Sequence, residues 1–406
     1  MLDKINLTIR VSKLHLLSFK LFLLYLLTVF SISDHPLLYN FSKLLFIVLA
    51  FFTFLYLLKK EIKITPFYIS FFFILLWFCG SLLWAADFNS GLKRSLTLIN
   101  LFIMNVLIYE ILYTKKHVDT AIKYIIYGGV LMCFVAFLMT GPQGILIAIT
   151  KGVRLGGEIS QENVFGFYAA VTAVLCIFYA YIYKKRMYIL LAFIPIFFSM
   201  MSGSKKAFLI IIVGVLLINY FNSEGKKFGK QLIGLFLIIG VGYIAFYIPA
   251  FNIVTSRITE FWIYTFGDSS TIDKSTFYRQ VMIEGGLELF KNNPIVGYGI
   301  SNYGYYFQRL TGYNFSYAHN NYIEILVNNG IIGFLLYYSL FIYNLKHLLK
   351  PALKRDFTAQ ALIILLISIL VADIGAINYY DKFTHIVITL CFAYVRIIKS
   401  MGITER

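Results

Sequence analysis

The chain has 406 residues, 60% of them hydrophobic and only 14% charged, with a formal net charge of +17. A soluble protein of this size has too little polar surface to cover so much apolar material. The composition therefore excludes a soluble enzyme of ordinary kind and points to repeated passage through a membrane. Cys79, Cys133, Cys176 and Cys391 lie in apolar contexts without a CxxC pair, so no disulfide framework and no zinc site is expected.

The apolar runs predict an all-α polytopic membrane protein of about twelve spans. They lie at about 16–34, 37–58, 66–86, 95–113, 121–140, 162–183, 187–202, 205–222, 231–250, 321–345, 358–376 and 380–398. The first run is followed at once by others, so it reads as a span and not as a lone signal peptide. The seventh and eighth are short and read as a broken pair around "SMMSGSKKA", the kind of interruption found where irregular backbone lines a cavity.

Positive charge sets the expected orientation. Lys59, Lys60 and Lys63 follow the second run, Lys115 and Lys116 the fourth, and Lys184, Lys185 and Arg186 the sixth. Lys226, Lys227 and Lys230 follow the eighth, "KHLLKPALKR" the tenth, and Arg396, Lys399 and Arg406 end the chain. With alternating spans these all fall on one side, which the positive-inside bias makes the cytoplasm, with both termini there. Topology thus accounts for most of the positive charge, and no nucleic-acid partner is expected.

On the opposite side one connection is long, about 251–320. Phe277, Val281, Glu284 and Glu288 are at helical spacing within it, predicting an amphipathic helix over about 276–291, with "NNPIVGYG" as a stop and turn. The chain divides into N-terminal spans (1–150), a core with the long connection (151–345) and C-terminal spans (346–406).

The outer side carries the exceptions to the charge bias: Lys151, Arg154, Lys205, Lys206, Arg257, Arg279, Lys291 and Arg309. Arg154 and the Lys205–Lys206 pair are at short connections between spans, where half-buried cations need partners. A diphosphate is one such partner, and internal Asp or Glu is the structural alternative. His319 sits where the long connection enters the tenth span, and an imidazole there is able to take a proton from a hydroxyl nucleophile. Asn320, Asn321 and Glu324 follow it; they either orient the ring and a sugar or merely cap the helix. In "RLGGEISQENVFGFYAA", Glu158, Glu162 and Asn163 crowd another span entrance as ion-pair or capping groups, and Gly156–Gly157 lack a phosphate-loop pattern. Asp373 and Asp381 flank "IGAINYY" near the last outer connection; they either line a cavity or, more simply, are loop residues. The remaining histidines read as interfacial residues. No metal-ligand cluster stands out, so neither metal nor cofactor is expected.

Three segments in this order resemble the O-antigen ligase and polysaccharide polymerase family, the Wzy family. The first is "RLGGEISQENVFGFYAA", through Arg154, Gly156 or Gly157, and Asn163. The second is "MSGSKKAFLI", where Lys205 stands in the place usually held by arginine, so the charge is kept and the bidentate fork is lost. The third is "RQVMIEGGLELFKNNPIVGYGISNY" followed by "AHNNYIEILVNNGIIG", through Arg279, Pro294, Gly297, Gly299, Asn302, His319, Asn320, Asn321, Glu324, Gly330 and Gly333. The resemblance covers about 150–345.

It implies a GT-C-like glycosyltransferase of the bacterial cytoplasmic membrane, working on the outer face. The implied partners are an undecaprenyl-diphosphate-linked oligosaccharide, membrane lipids and a polysaccharide chain-length regulator. In that reading His319, Arg279 and Arg154 are catalytic, and Lys205, Lys206, Asn163, Asn320, Asn321, Glu324 and Arg257 bind substrate. Polymerase is the preferred activity. Ligation of polymer to a lipid A-core and transport of the lipid-linked saccharide are the alternatives.

Overall fold

The computed structural model describes residues 2–31, 35, 38–222, 274–314 and 317–402, with side chains from residue 13 in the first of these stretches and from residue 277 in the stretch 274–314. The ninth predicted run at 231–250, the first part of the long connection and Arg257 lie outside the described residues. Those residues form thirteen α-helices and one short 3-10 turn, with no strand among them. We label them α1 (Leu2–Ser31), α2 (Tyr39–Leu57), α3 (Pro66–Gly80), α4 (Phe88–Ile111), α5 (Lys115–Lys151), α6 (Glu162–Tyr183) and α7 (Arg186–Met201). The rest are α8 (Lys205–Asn222), α9 (Lys274–Asn292), α10 (Tyr303–Thr311), α11 (Asn321–Leu353), α12 (Phe357–Ala372) and α13 (Lys382–Ser400).

Nine stretches among the described residues are long and apolar enough to cross a membrane, and α7 and α12 are shorter apolar helices. The protein is thus a polytopic helical membrane protein. Every predicted run apart from the ninth coincides with a described helix, and the boundaries move where capping outweighs hydropathy. Helix α4 begins at Phe88, earlier than its apolar run, because the Asp87 carboxylate accepts the Ser90 N–H at 3.0 Å. Helix α5 continues past the predicted stop: Gly141 (φ 66°), ahead of Pro142, bends it without ending it. The predicted amphipathic helix of the long connection is α9.

Helix α11 is bent at Gly330, where φ is 64°. The bend frees backbone carbonyls, and the turn after α9 takes them up. Tyr298 N–H donates to Val327 O at 2.9 Å and Gly299 N–H to Asn328 O at 2.8 Å. Gly330 is required twice over, because a Cβ there would strike the Ile295 carbonyl and its φ disfavours other residues.

The two ends of the bundle differ. At one end three basic residues are held by carboxylates: Glu110 receives Lys60 at 2.6 Å and Arg396 at 3.4 Å, and Asp356 receives Lys115 at 3.0 Å. The other end gathers the first turns of α4, α6, α8, α11 and α13 with the connection between α12 and α13. Aligned peptide dipoles make such helix starts electropositive.

Candidate functional site

A cavity of about 350 Å³ opens at this second end. Five separate segments line it: Val29 in α1, Gln161 to Tyr168 at the start of α6, Lys206 in α8, Tyr317 and His319 before α11, and Gly375 to Lys382. Val29, Val164 and Phe167 give it an apolar side. Three of the residues singled out from the sequence, Asn163, Lys206 and His319, therefore share one space although 156 positions separate the first from the last.

His319 has a left-handed backbone (φ 51°), an uncommon state for a residue with a Cβ, and its ring lies 4.3 Å from that of Tyr317. Burial, the Arg279 guanidinium and the Lys206 ammonium all disfavour its protonation and bring its pKa down to about 4. At neutral pH it is an uncharged imidazole with one lone pair able to accept a proton. Arg279, in α9, thus belongs to the same electrostatic group without being one of the cavity-lining residues. Lys206 is also within charge-interaction range of Asp373 and Asp381.

Arg154 stands one residue behind the wall. Its Nε donates to the Ser202 carbonyl at 2.6 Å and its Nη2 to Asn163 Oδ1 at 2.8 Å, with Glu162 4.0 Å away. It ties the turn between α7 and α8 to the start of α6, and so sets Asn163 and Lys206 relative to each other. Lys205 is half-buried beside Lys206.

The other expected binding residues frame the cavity. Asn320 caps α11, its Oδ1 accepting the Ile323 N–H at 3.1 Å, which is the capping alternative seen in the sequence. Asn321 is fully buried: its amide donates to Asp373 and to the Tyr338 hydroxyl, and its oxygen accepts the N–H groups of Asn378 and Tyr379. It does not line the cavity, but fixes the connection that does. Glu324 is buried as well, and its Oε2 accepts the Ala318 N–H at 2.8 Å, next to His319. Its Oε1 accepts Asn328 Nδ2, and Asn328 Oδ1 accepts the N–H groups of Asn302 and Tyr303. This chain of bonds links the strained His319 segment to the turn after α9.

Sequence reasoning missed two contributors and put a third second. Asp381, whose simpler reading was a loop residue, takes its other reading and lines the cavity; burial pushes its carboxyl up, against the hydrogen bonds of Thr384 and Tyr168. Tyr380 lines it too, with the Arg94 guanidinium 3.3 Å from the ring centroid. Arg94 follows Lys93 just ahead of the fourth apolar run, on the side expected to be poor in cations; that exception was the available signal. Tyr317 completes the aromatic lining. Among the described residues no group of three or more His, Cys, Asp or Glu side chains is placed to hold a metal ion.

Residues 190–338 match the family model described as O-antigen ligase. The match runs from α7 into α11 and includes Lys205, Lys206, Arg279, His319, Asn320, Asn321 and Glu324; Arg154, Asn163 and Asp381 lie outside it. No curated protein matches the chain. Over residues 190–338 the chain is therefore similar to that O-antigen ligase domain.

Proposed function

We propose that this chain, on the premise of that domain, is a Wzy-type polymerase of the bacterial cytoplasmic membrane. It moves an oligosaccharide repeat unit from undecaprenyl diphosphate to a hydroxyl of a growing saccharide on the outer face. The observation that carries this reading is the cavity that joins a neutral imidazole, His319, to Lys206 and Asn163, with Arg279 in electrostatic reach.

In the proposed step the acceptor oxygen attacks the anomeric carbon of the donor. Its proton passes to the His319 imidazole, and the bond from that carbon to the diphosphate oxygen breaks. The electron pair leaves with undecaprenyl diphosphate, whose charge Lys206 and Arg279 stabilise, with Lys205 beside them and Arg154 acting through Asn163. The imidazole gains basicity from the donor itself. An empty cavity leaves two cations pressing on the ring, whereas a bound diphosphate offsets them.

The competing reading, ligation of polymer to a lipid A-core, is favoured by the description of the matching family. The two differ in acceptor. Cells lacking a polymerase retain single repeat units on the final acceptor, and cells lacking a ligase accumulate lipid-linked polymer.

The direct test is reconstitution in liposomes with the lipid-linked saccharide fraction from cells that lack this chain. Elongated saccharide supports the proposal, and relocation of unchanged saccharide replaces it with transport. His319→Ala is expected to lower elongation by about 10²–10⁴, the usual loss of a general base. Near-normal turnover of a folded variant removes His319 from the chemistry.

A further inference from the structure

The cavity is electrically two-sided. Lys206 and His319, with Arg279 beyond them, make a side suited to an anion. Asp381 is a carboxylate on the same cavity, accompanied by Asn378, the phenol of Tyr380 and the more exposed ammonium of Lys382. A diphosphate placed against Asp381 would meet like charge in a partly dehydrated space, so this wall is unsuited to the donor's head.

Asp381 does have a local task. Its Oδ2 accepts the Thr384 N–H at 2.9 Å as the cap of α13, and its Oδ1 accepts the Tyr168 hydroxyl at 3.2 Å. An ionised carboxylate has about four acceptor sites, so two such bonds leave acceptor capacity on a group that lines the cavity. Tyr380 is braced by Arg94 and by an edge contact with Tyr379 at 4.9 Å between centroids, which fixes the ring that the cavity meets. A fixed aromatic ring beside a carboxylate with free acceptor sites suits a sugar: the ring takes its C–H surface, and the carboxylate takes its hydroxyls.

We infer that Asp381 and Tyr380 form the acceptor subsite, binding a hydroxyl-bearing sugar ring that carries no negative charge near the reacting hydroxyl. This inference rests on the proposed transfer reaction and assigns its second substrate to a wall of the same cavity. Asp381 holds hydroxyls adjacent to the reacting one, while the reacting proton still passes to His319. The subsite would then discriminate by charge. Neutral acceptors gain charge-assisted hydrogen bonds from Asp381, and an acceptor carboxylate placed against Asp381 itself meets repulsion, whereas one reaching outward meets Lys382.

The test compares the full-length wild-type protein with Asp381→Asn and Asp381→Ser in the liposome assay. The donor is the lipid-linked fraction described above, and the added acceptor is the saccharide released from it by mild acid. Asn and Ser both preserve the helix cap. The expected result is a rise in acceptor KM of about 10-fold or more, the weight of a hydrogen bond to a charged group. Donor KM and the unfolding temperature should stay unchanged in at least one variant. An unchanged acceptor KM in the folded variants overturns the subsite. So does an equal rise in donor and acceptor KM. If the wild-type protein itself forms no glycosidic bond, the transfer reading fails first, and this assignment falls with it.

Discussion

Replacing Asn321 by Ala separates a framing residue from a substrate-binding one. The Asn321 side chain donates to Asp373 Oδ2 and Tyr338 Oη, both at 3.1 Å, and accepts from the N–H groups of Asn378 at 3.0 Å and Tyr379 at 3.1 Å. Alanine leaves those two N–H groups unpaired in a buried connection and removes one donor from a buried carboxylate. An unsatisfied buried group costs roughly 1–3 kcal/mol, so the backbone groups alone predict a loss of about 2–6 kcal/mol. The effect should appear as a fall of several degrees in unfolding temperature in detergent, read by intrinsic fluorescence. Elongation activity should fall with it, because Asn378 and Tyr380 would no longer be held at the cavity. Asn321→Asp should fall as well, since it loses the amide donor and adds a carboxylate beside Asp373. An alanine variant with wild-type unfolding temperature and impaired turnover would refute this account, because it would make Asn321 a substrate contact.

Other consequences concern the imidazole and the bent helix. Transfer needs neutral His319, whose pKa in the free protein is about 4; kcat/KM should therefore be flat across neutral pH and fall only as acid protonates the ring. Arg279→Gln removes one of the two cations and should move that inflection upward toward 6.5; an unmoved inflection separates Arg279 from His319. The same depressed pKa makes this histidine's contribution to stability full above 6.5 and progressively lost as pH falls from there toward 4, because the unfolded state then binds the proton more readily. Gly330→Ala places a Cβ against the Ile295 carbonyl at a φ of 64° and should cost about 2 kcal/mol or more, read as a lower unfolding temperature. A Gly330→Ala protein as stable as wild type would show that the bend does not need glycine.

Hydropathy alone located the helices well. The limits of α6 and α8 coincide with the apolar runs, because a charged or capping residue stands at each entrance and nothing else competes. The candidate site was legible where charge appeared against its surroundings: Lys206 and His319 stand out in the string, and both line the cavity. Asn320, Asn321 and Glu324 look alike in sequence, as polar residues at a span entrance. Their roles diverge because of partners that spacing does not reveal. Asn321 meets Asp373 from 52 positions away, and Glu324 turns back to the Ala318 N–H. Tyr380 was hidden, and Asp381 stood out less, for the converse reason. A carboxylate in a short outer connection reads most simply as a loop residue, and in the structure Asp381 does cap α13; its other face becomes significant only once α6 and α8 are set against it.

The mixture of signs in this cavity has a physical rationale. A buried cation without a counter-charge costs several kcal/mol, so a pocket made of cations alone would be hard to keep folded before its anionic ligand arrives. Here Asp373 supplies the larger part of that counter-charge to Lys206, and Asp381 a smaller part. Burial lifts the Asp373 carboxyl to about 7, so near neutrality it is poised to take up or release a proton as the charge around it changes. A diphosphate entering beside Lys206 would add negative charge near Asp373 and favour its protonated form; its departure would favour ionisation again.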